Sequence, residues 1–272
     1  MYGFILKKNF CDGWDNLLSV VITNALWLIS GFGFFFLFMW AVKLVPESGP
    51  EFIHYILLIA IYVFGCIHFS ILAFAYGDQA AKIANFEGIK ILDYFIGMPG
   101  VLKDATLFGL LIAGVSLVSF FAFDFYFLQS TSLTAFFAGS LLFWVDIFFL
   151  LALQWFLPIR SLMHNNFAKC LKKSFLIFFD NTGYSIFWFL HNVIMLIPSI
   201  LMFGFCPSVA GMLIANTNAL RIRLYKYDYL EQHPELKTKA ERRKIPWEEL
   251  IYDDREALGP RKLKSFLFPW KE

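Results

Sequence analysis

A few polar side chains lie where a membrane-embedded chain could use them for chemistry. Asp146 sits in Phe143-Trp144-Val145-Asp146-Ile147-Phe148, inside the long apolar run Leu133–Leu157. At 1.5 Å per residue it lies about 20 Å from the start of that run. His68 lies about 23 Å into the run Ile53–Tyr76 on the same reckoning. Asn24 and Asn192 (beside His191) enter two other runs from the opposite side and Asn216 comes down a sixth, so five runs each offer a polar group at similar depth. A charge near the bilayer centre costs at least about 2.5–3.5 kcal/mol, so it normally faces the bundle interior and finds a partner. Two uses follow. Asp146 and His68 could pair, with Asn24, Asn192 and Asn216 completing a site that binds a polar solute or relays a proton, since imidazole titrates near physiological pH. The same groups could instead hydrogen-bond between helices and fix their packing, at about 0.6–2 kcal/mol each.

The elements that must position these groups follow from composition. Of 272 residues, 59% are hydrophobic, 20% aromatic and only 16% charged. That is too little charge to cover a soluble domain, and far too much hydrophobicity for a disordered chain. More than half of the charged residues fall after position 220, so the chain joins an apolar body, 17–224, to a polar tail, 225–272, with a short N-terminal segment, 1–16. About 20 apolar residues are needed to cross a roughly 30 Å hydrocarbon core. Five runs qualify: Leu17–Val42, Ile53–Tyr76, Ala105–Leu128, Leu133–Leu157 and Tyr184–Phe205. A sixth, Val209–Leu224, is shorter and carries Asn216, Asn218, Arg221 and Arg223. The runs are continuous rather than alternating, which excludes a transmembrane barrel. No small-x-small site follows the first run, so it is read as a retained span and not a cleaved signal.

Orientation comes from the basic residues. On a six-span reading, Lys7 and Lys8, then Lys82, Lys90 and Lys103, then Arg160, Lys169, Lys172 and Lys173, and then the tail all fall on one side. Only Lys43 lies near the other side, where Pro46–Glu51 carries two Glu and no base. Lys and Arg are enriched in cytoplasmic loops, which predicts cytosolic termini. The expected fold is an all-α integral membrane bundle of six transmembrane helices, with two cytosolic amphipathic helices and a polar C-terminal tail.

The first amphipathic stretch has Phe86, Ile89, Leu92 and Phe95/Ile96 at helical spacing, with Glu87, Lys90 and Asp93 between them. The second has Met163, Phe167, Leu171, Phe175 and Phe178, with Lys169, Lys172 and Lys173 on the other face. Such helices lie in the membrane interface or present a surface to a partner. Pro99-Gly100 and Asn181-Thr182-Gly183 are expected to break the chain before the returning span, giving a loose parallel repeat over about 53–128 and 133–205. The tail ends in Arg261-Lys262-Leu263-Lys264-Ser265-Phe266-Leu267-Phe268-Pro269-Trp270. A purely solvating tail has no need of Phe266, Leu267, Phe268 and Trp270. Together with Arg261 and Lys262, they point to docking on the bundle, on lipid or on another protein.

Motifs of catalysis are absent. The chain has no GxxxxGK[ST], GxGxxG, HExxH or GxSxG, and its histidines lack zinc spacing. Cys11, Cys66, Cys170 and Cys206 form no CxxC pair, and a net charge of +2 gives no reason to expect a nucleic-acid partner. The reading is a non-enzymatic protein with no metal or cofactor. A small-solute or proton-coupled transporter is the main alternative, and an intramembrane enzyme a further one.

The order of features resembles one family. Asn24-Ala25-Leu26-Trp27-Leu28 with Gly31 and Gly33, then Phe156-Leu157-Pro158 with Arg160, then Leu171-Lys172-Lys173-Ser174-Phe175, and then Phe203-Gly204-Phe205-Cys206-Pro207-Ser208 with Ala210 are similar to the signature segments of the YesL family of bacterial membrane proteins. The likeness covers roughly 17–225. The stretch Glu51–Ile61 lacks the proline and small residues common there, and the tail after Asp228 has no counterpart. The resemblance implies six spans and the bacterial cytoplasmic membrane. It brings no catalytic residues, and by association it implies an accessory role beside carbohydrate uptake, with a transporter or receptor subunit as partner.

Overall fold

The computed structural model describes residues 1–44, 51–236, 238 and 241–261, and every regular element among them is helical. In order these are α1 (Tyr2–Asp15), α2 (Leu17–Leu44), α3 (Glu51–Ala84), α4 (Ile91–Phe123), α5 (Leu133–Leu153), α6 (Phe156–Met163), α7 (Phe167–Asp180), α8 (Thr182–Leu201), α9 (Ser208–Gln232), α10 (Trp247–Leu250) and α11 (Tyr252–Leu258). A π-helical turn, Asp124–Gln129, prolongs α4, and a 3-10 turn, Glu241–Arg243, precedes α10. Five stretches are long and apolar enough to cross a membrane: Leu17–Leu44, Phe52–Ala84, Ile91–Gln129, Leu133–Met163 and Thr182–Leu201. The chain thus has the helices of an all-α, multi-pass membrane protein.

Helices α2 to α5 stand side by side, each antiparallel to the one before it. Between α2 and α3, Ser19 donates to Gln79 at 3.3 Å, Trp27 packs on Phe69, Ser30 meets His68 and Phe34 lies against Phe64. Between α3 and α4, Lys82 pairs with Asp93, Phe74 packs on Phe108 and Tyr62 meets Ser116. The α3–α4 contact is close because Gly109 has no side chain: a Cβ there would stand 2.6 Å from the Ile67 Cα. α5 is anchored to α4 at one end by Phe127 on Phe136, and α6, which follows it directly, is anchored at the other by Phe156 on Phe108.

Helix α8 does not extend this array. Near its start, the Ser185 hydroxyl accepts from the Trp155 indole at 2.9 Å, and the neighbouring Phe156 packs on Phe74 of α3. Just beyond its end, Gly204 and Phe205 meet α2 at Leu28 and Asn24. Those α2 residues lie next to Trp27, which touches Phe69, and a turn above Ser19, which bonds Gln79. Both ends of α8 are therefore level with the same Phe69–Gln79 stretch of α3. A 20-residue helix is about 30 Å long, so α8 is inclined to the standing helices. It presents Ile186, Leu190, Ile194, Ile197 and Leu201 outward and turns Ser185, Trp188 and Ser199 inward, the division expected of an interfacial helix.

Helix α9 returns antiparallel to α8, through Asn192–Asn216 and a 2.7 Å bond from the Tyr184 hydroxyl to the Ala219 carbonyl. α1 shares this plane, with Tyr2 against Tyr184 and Phe187, and with Asn9 and Asp12 against Asn218. Helices α1, α6, α8 and α9 thus form a platform at the end of the bundle where the charges gather. α9 needs no apolar exterior there: Asn216, Thr217, Asn218, Ala219, Leu220 and Ile222 are all buried by protein.

Several expectations are corrected. The fifth and sixth runs form the antiparallel pair α8 and α9, and the second of them is helical through Gln232, well past Leu224. Phe86 and Ile89 lie in a connection between α3 and α4, while Leu92, Phe95 and Ile96 belong to the start of α4 itself. Pro99-Gly100 does not break the chain: α4 runs through it. The second amphipathic stretch does form a separate helix, α7, with the Asn166 side chain capping its start. α7 packs along α5 through Phe175 on Phe149 and Phe178 on Phe148. The N-terminal segment, read only as cytosolic, is helix α1. Pro46–Pro50 of the first connection lie outside the described residues, as do Lys262, Phe266, Phe268 and Trp270.

Candidate functional site

The residues expected to share one site have separate partners. Asn24 is fully buried and saturated: its amide donates to the Phe205 and Pro207 carbonyls, both at 2.9 Å, and its carbonyl accepts from the Ala210 N–H at 3.0 Å. It staples the α8–α9 turn, which holds the cis Cys206–Pro207 peptide and Gly204 at φ +81°, onto α2. Asn192 donates to Asn216 at 2.8 Å and so joins α8 to α9. His68 meets the Ser30 hydroxyl at 3.1 Å between the rings of Phe34 and Phe69. Asp146 is half-buried and has no hydrogen-bond or ion-pair partner among the described residues. The expected Asp146–His68 pair is not formed. Of the five, only Asn192 and Asn216 touch.

The dense polar chemistry lies in the platform, and three clusters carry it. In the first, the Lys8 ammonium pairs with Asp12 at 2.9 Å, and Asn218 donates to the same carboxylate at 2.7 Å and to Asn9 at 3.0 Å. Lys8 is completely buried. Burial draws its ammonium below the ordinary lysine value, against the pull of Asp12, and the same burial draws the Asp12 carboxyl upward against Lys8. Beside this pair, Arg221 grips Asp254 of α11 with two nitrogens, at 2.5 and 3.1 Å, and also donates to Asn85 at 2.9 Å. The Phe86 ring sits 3.6 Å from the Lys8 ammonium and 5.6 Å from the Arg221 guanidinium. Phe86 holds φ +60°, a left-handed conformation costing a non-glycine residue about 1–3 kcal/mol, in the position that presents its ring to both cations.

In the second cluster, Asn181 at the α7–α8 junction accepts from Arg223 and from Lys226, while Tyr227 and Lys226 bond the adjacent Asp180 at 2.8 and 3.0 Å. Burial raises the Asp180 carboxyl, but the bonds from Tyr227, Lys226 and Asn181 outweigh it and hold the group below 3.8. In the third, Arg160 of α6 pairs with Asp78 at 2.6 Å and stands 3.5 Å from Asp104, so α3, α4 and α6 meet on one guanidinium.

α9 supplies residues to the first two clusters and is the axis of the platform. The sequence signal for it was the group Asn216, Asn218, Arg221 and Arg223 in a run otherwise apolar enough to suggest a span. Lys8 and Asp12 stand at i and i+4, the spacing at which opposite charges meet on a helix, whereas nothing in the spacing announced the Arg221–Asp254 grip on the tail. Of the basic residues expected at a docking surface, Lys169 and Lys172 are exposed on α7, Lys173 reaches Met163, and Arg261 pairs with Asp15. No group of three metal-ligating side chains occurs among the described residues.

Chemically, this arrangement neutralises charges and binds helices to one another; it brings no nucleophile together with a base. No protein-family profile, curated protein or solved structure matches the chain.

Proposed function

We propose that the protein is a non-enzymatic accessory or scaffold protein of a bacterial cytoplasmic membrane, serving a transport assembly. The observation that carries this reading is the locked platform. The polar groups of α1, α6, α7, α8 and α9 are used on one another and on the tail helix α11, while Lys169 and Lys172 on α7 remain exposed for a partner. The transport association rests on the resemblance to the YesL family. Solubilising the full chain in mild detergent and identifying what co-purifies tests it: recovery of a permease or receptor subunit that is lost on Lys169→Glu/Lys172→Glu supports the role. Recovery of the chain alone, together with solute uptake by the purified protein in vesicles, overturns it.

We read the membrane topology as four crossings, α2 to α5, with the α8–α9 hairpin at the inner interface. α3 has no charge between Glu51 and Asp78, room for a roughly 30 Å core. Four crossings, like six, leave both termini on one side, which keeps the basic residues together. Labelling Cys206 with a membrane-impermeant maleimide separates the two counts. Six spans place that turn outside, in reach of the reagent on intact cells; four place it inside, protected until the membrane is opened.

A second reading keeps Asp146 as a transport residue, favoured by its half-buried, unpartnered carboxyl. Proton-driven uptake in vesicles that disappears with Asp146→Asn at normal protein levels would establish it.

A further inference from the structure

A cavity of about 710 Å³ lies between α1, α8, α9 and the start of α2. Its walls are Phe10, Trp14 and Leu17 on one side and Met195, Pro198 and Ala215 on the other. This apolar space also takes in Leu17 and Val20 at the start of α2. Apolar concavities of this kind mark binding sites.

Arg261, the last described residue, lies on the wall of this cavity, where it pairs with Asp15 of α1. Two residues earlier, the Gly259 carbonyl accepts from Lys7, another wall residue, at 3.2 Å. The stretch leading to it is fixed in turn: Asp254 is gripped by Arg221, and Leu258 is buried. So the chain is delivered to the cavity mouth by α11 and held there by two polar contacts. Eleven residues follow, among them Phe266, Leu267, Phe268 and Trp270. At about 3.3 Å per extended residue, the five steps from Arg261 to Phe266 reach up to roughly 17 Å, enough to enter a cavity that begins at Arg261 itself.

We propose that this cavity is the docking site of the chain's own C-terminal segment, 262–272, with Phe266, Leu267, Phe268 and Trp270 filling the apolar space between α1 and the α8–α9 hairpin. The inference is independent of the proposed scaffold role.

Cys11 lies on the cavity wall and Cys170 lies buried on α7 away from it, which supplies a reporter and a control within the same chain. The full chain in nanodiscs is treated with N-ethylmaleimide and each thiol is followed by peptide mapping. Truncation after Arg261 is expected to speed Cys11 alkylation at least tenfold and to leave Cys170 unreactive. A synthetic peptide of residues 262–272 is expected to restore protection in trans. The full-length triple variant Phe266→Ala/Phe268→Ala/Trp270→Ala is expected to behave like the truncation, and it decides the matter if truncation exposes Cys170 as well. Equal Cys11 rates in the full chain and the triple variant overturn the proposal. So does protection of the truncated chain by anionic lipid in the nanodisc equal to that of the full chain, which would make lipid the occupant.

Discussion

The standing helices α2 to α5 and the platform beneath them solve the same problem in opposite ways. In the standing helices, contact is made by rings and by missing side chains: Trp27 on Phe69, Phe34 on Phe64, and Gly109 against the α3 backbone. Their polar contacts are few and mostly neutral, such as His68 with Ser30 and Tyr62 with Ser116. In the platform, helices are joined by charge: Arg221 of α9 to Asp254 of α11, Arg160 of α6 to Asp78 of α3 and Lys226 of α9 to Asp180 of α7. In hydrocarbon an ion pair has no water to lean on, so van der Waals fit and small residues do the joining. Nearer the interface, long basic side chains can bury their stems and still find carboxylates, which makes charge an affordable fastener. Breaking a platform joint should therefore cost more than altering a polar group in a span.

The largest effect is expected at Arg221. Replacing it with Leu strands the nearly buried Asp254 carboxylate and should cost about 3–5 kcal/mol, read from denaturant or thermal unfolding in detergent. The double variant Arg221→Leu/Asp254→Leu should recover most of that loss, because a buried pair replaced by apolar residues is often neutral. Failure to recover would mean that the pair does more than fasten the tail. Next comes Gly109→Leu, which drives a side chain into the α3 backbone and should cost at least about 1–3 kcal/mol, with α3 and α4 separating in cysteine cross-linking. Asn24→Ala removes three hydrogen bonds from the α8–α9 turn and should cost about 1–3 kcal/mol. Asp146→Asn, which has no partner to lose, should leave stability unchanged or raise it. If Asp146→Asn destabilises the chain as much as Asn24→Ala, the contrast between the two regions fails.

The smallest effect is a pH dependence at Asp180. Its folded carboxyl titrates below 3.8, so its contribution is fully present above that value and is lost as the pH falls through the lower folded pKa. Asp180→Asn should narrow the stability gap between neutral pH and about pH 3. An unchanged acid profile would show that the bonds from Tyr227 and Lys226 contribute nothing measurable.

Much of this arrangement was legible in the residues. The long apolar runs and the amphipathic stripe of α7 appear as helices in the places expected. Asn24 and Asn216 were singled out as polar groups in apolar surroundings, and both are hydrogen-bonded between helices. The shared site was not legible, because depth along a helix says nothing about which way its side chain points. Asp146 and His68 were matched by depth alone, and His68 faces α2 instead. Phe86 read as one step of an amphipathic stripe, yet it leaves the helix and serves two cations through a backbone conformation that no spacing rule anticipates.

The sequence by itself determined that the chain is helical, that it belongs in a membrane and that its charges gather at one end, because hydrophobicity and charge are summed over many residues and survive local detail. Only the tertiary structure decided where the two ends of α8 attach and that α9 can be polar. Depth along an apolar run does not tell which neighbours its ends will meet. A polar helix is tolerated where other helices, rather than lipid, cover it. Both facts depend on neighbours far away in the chain, which no local pattern records.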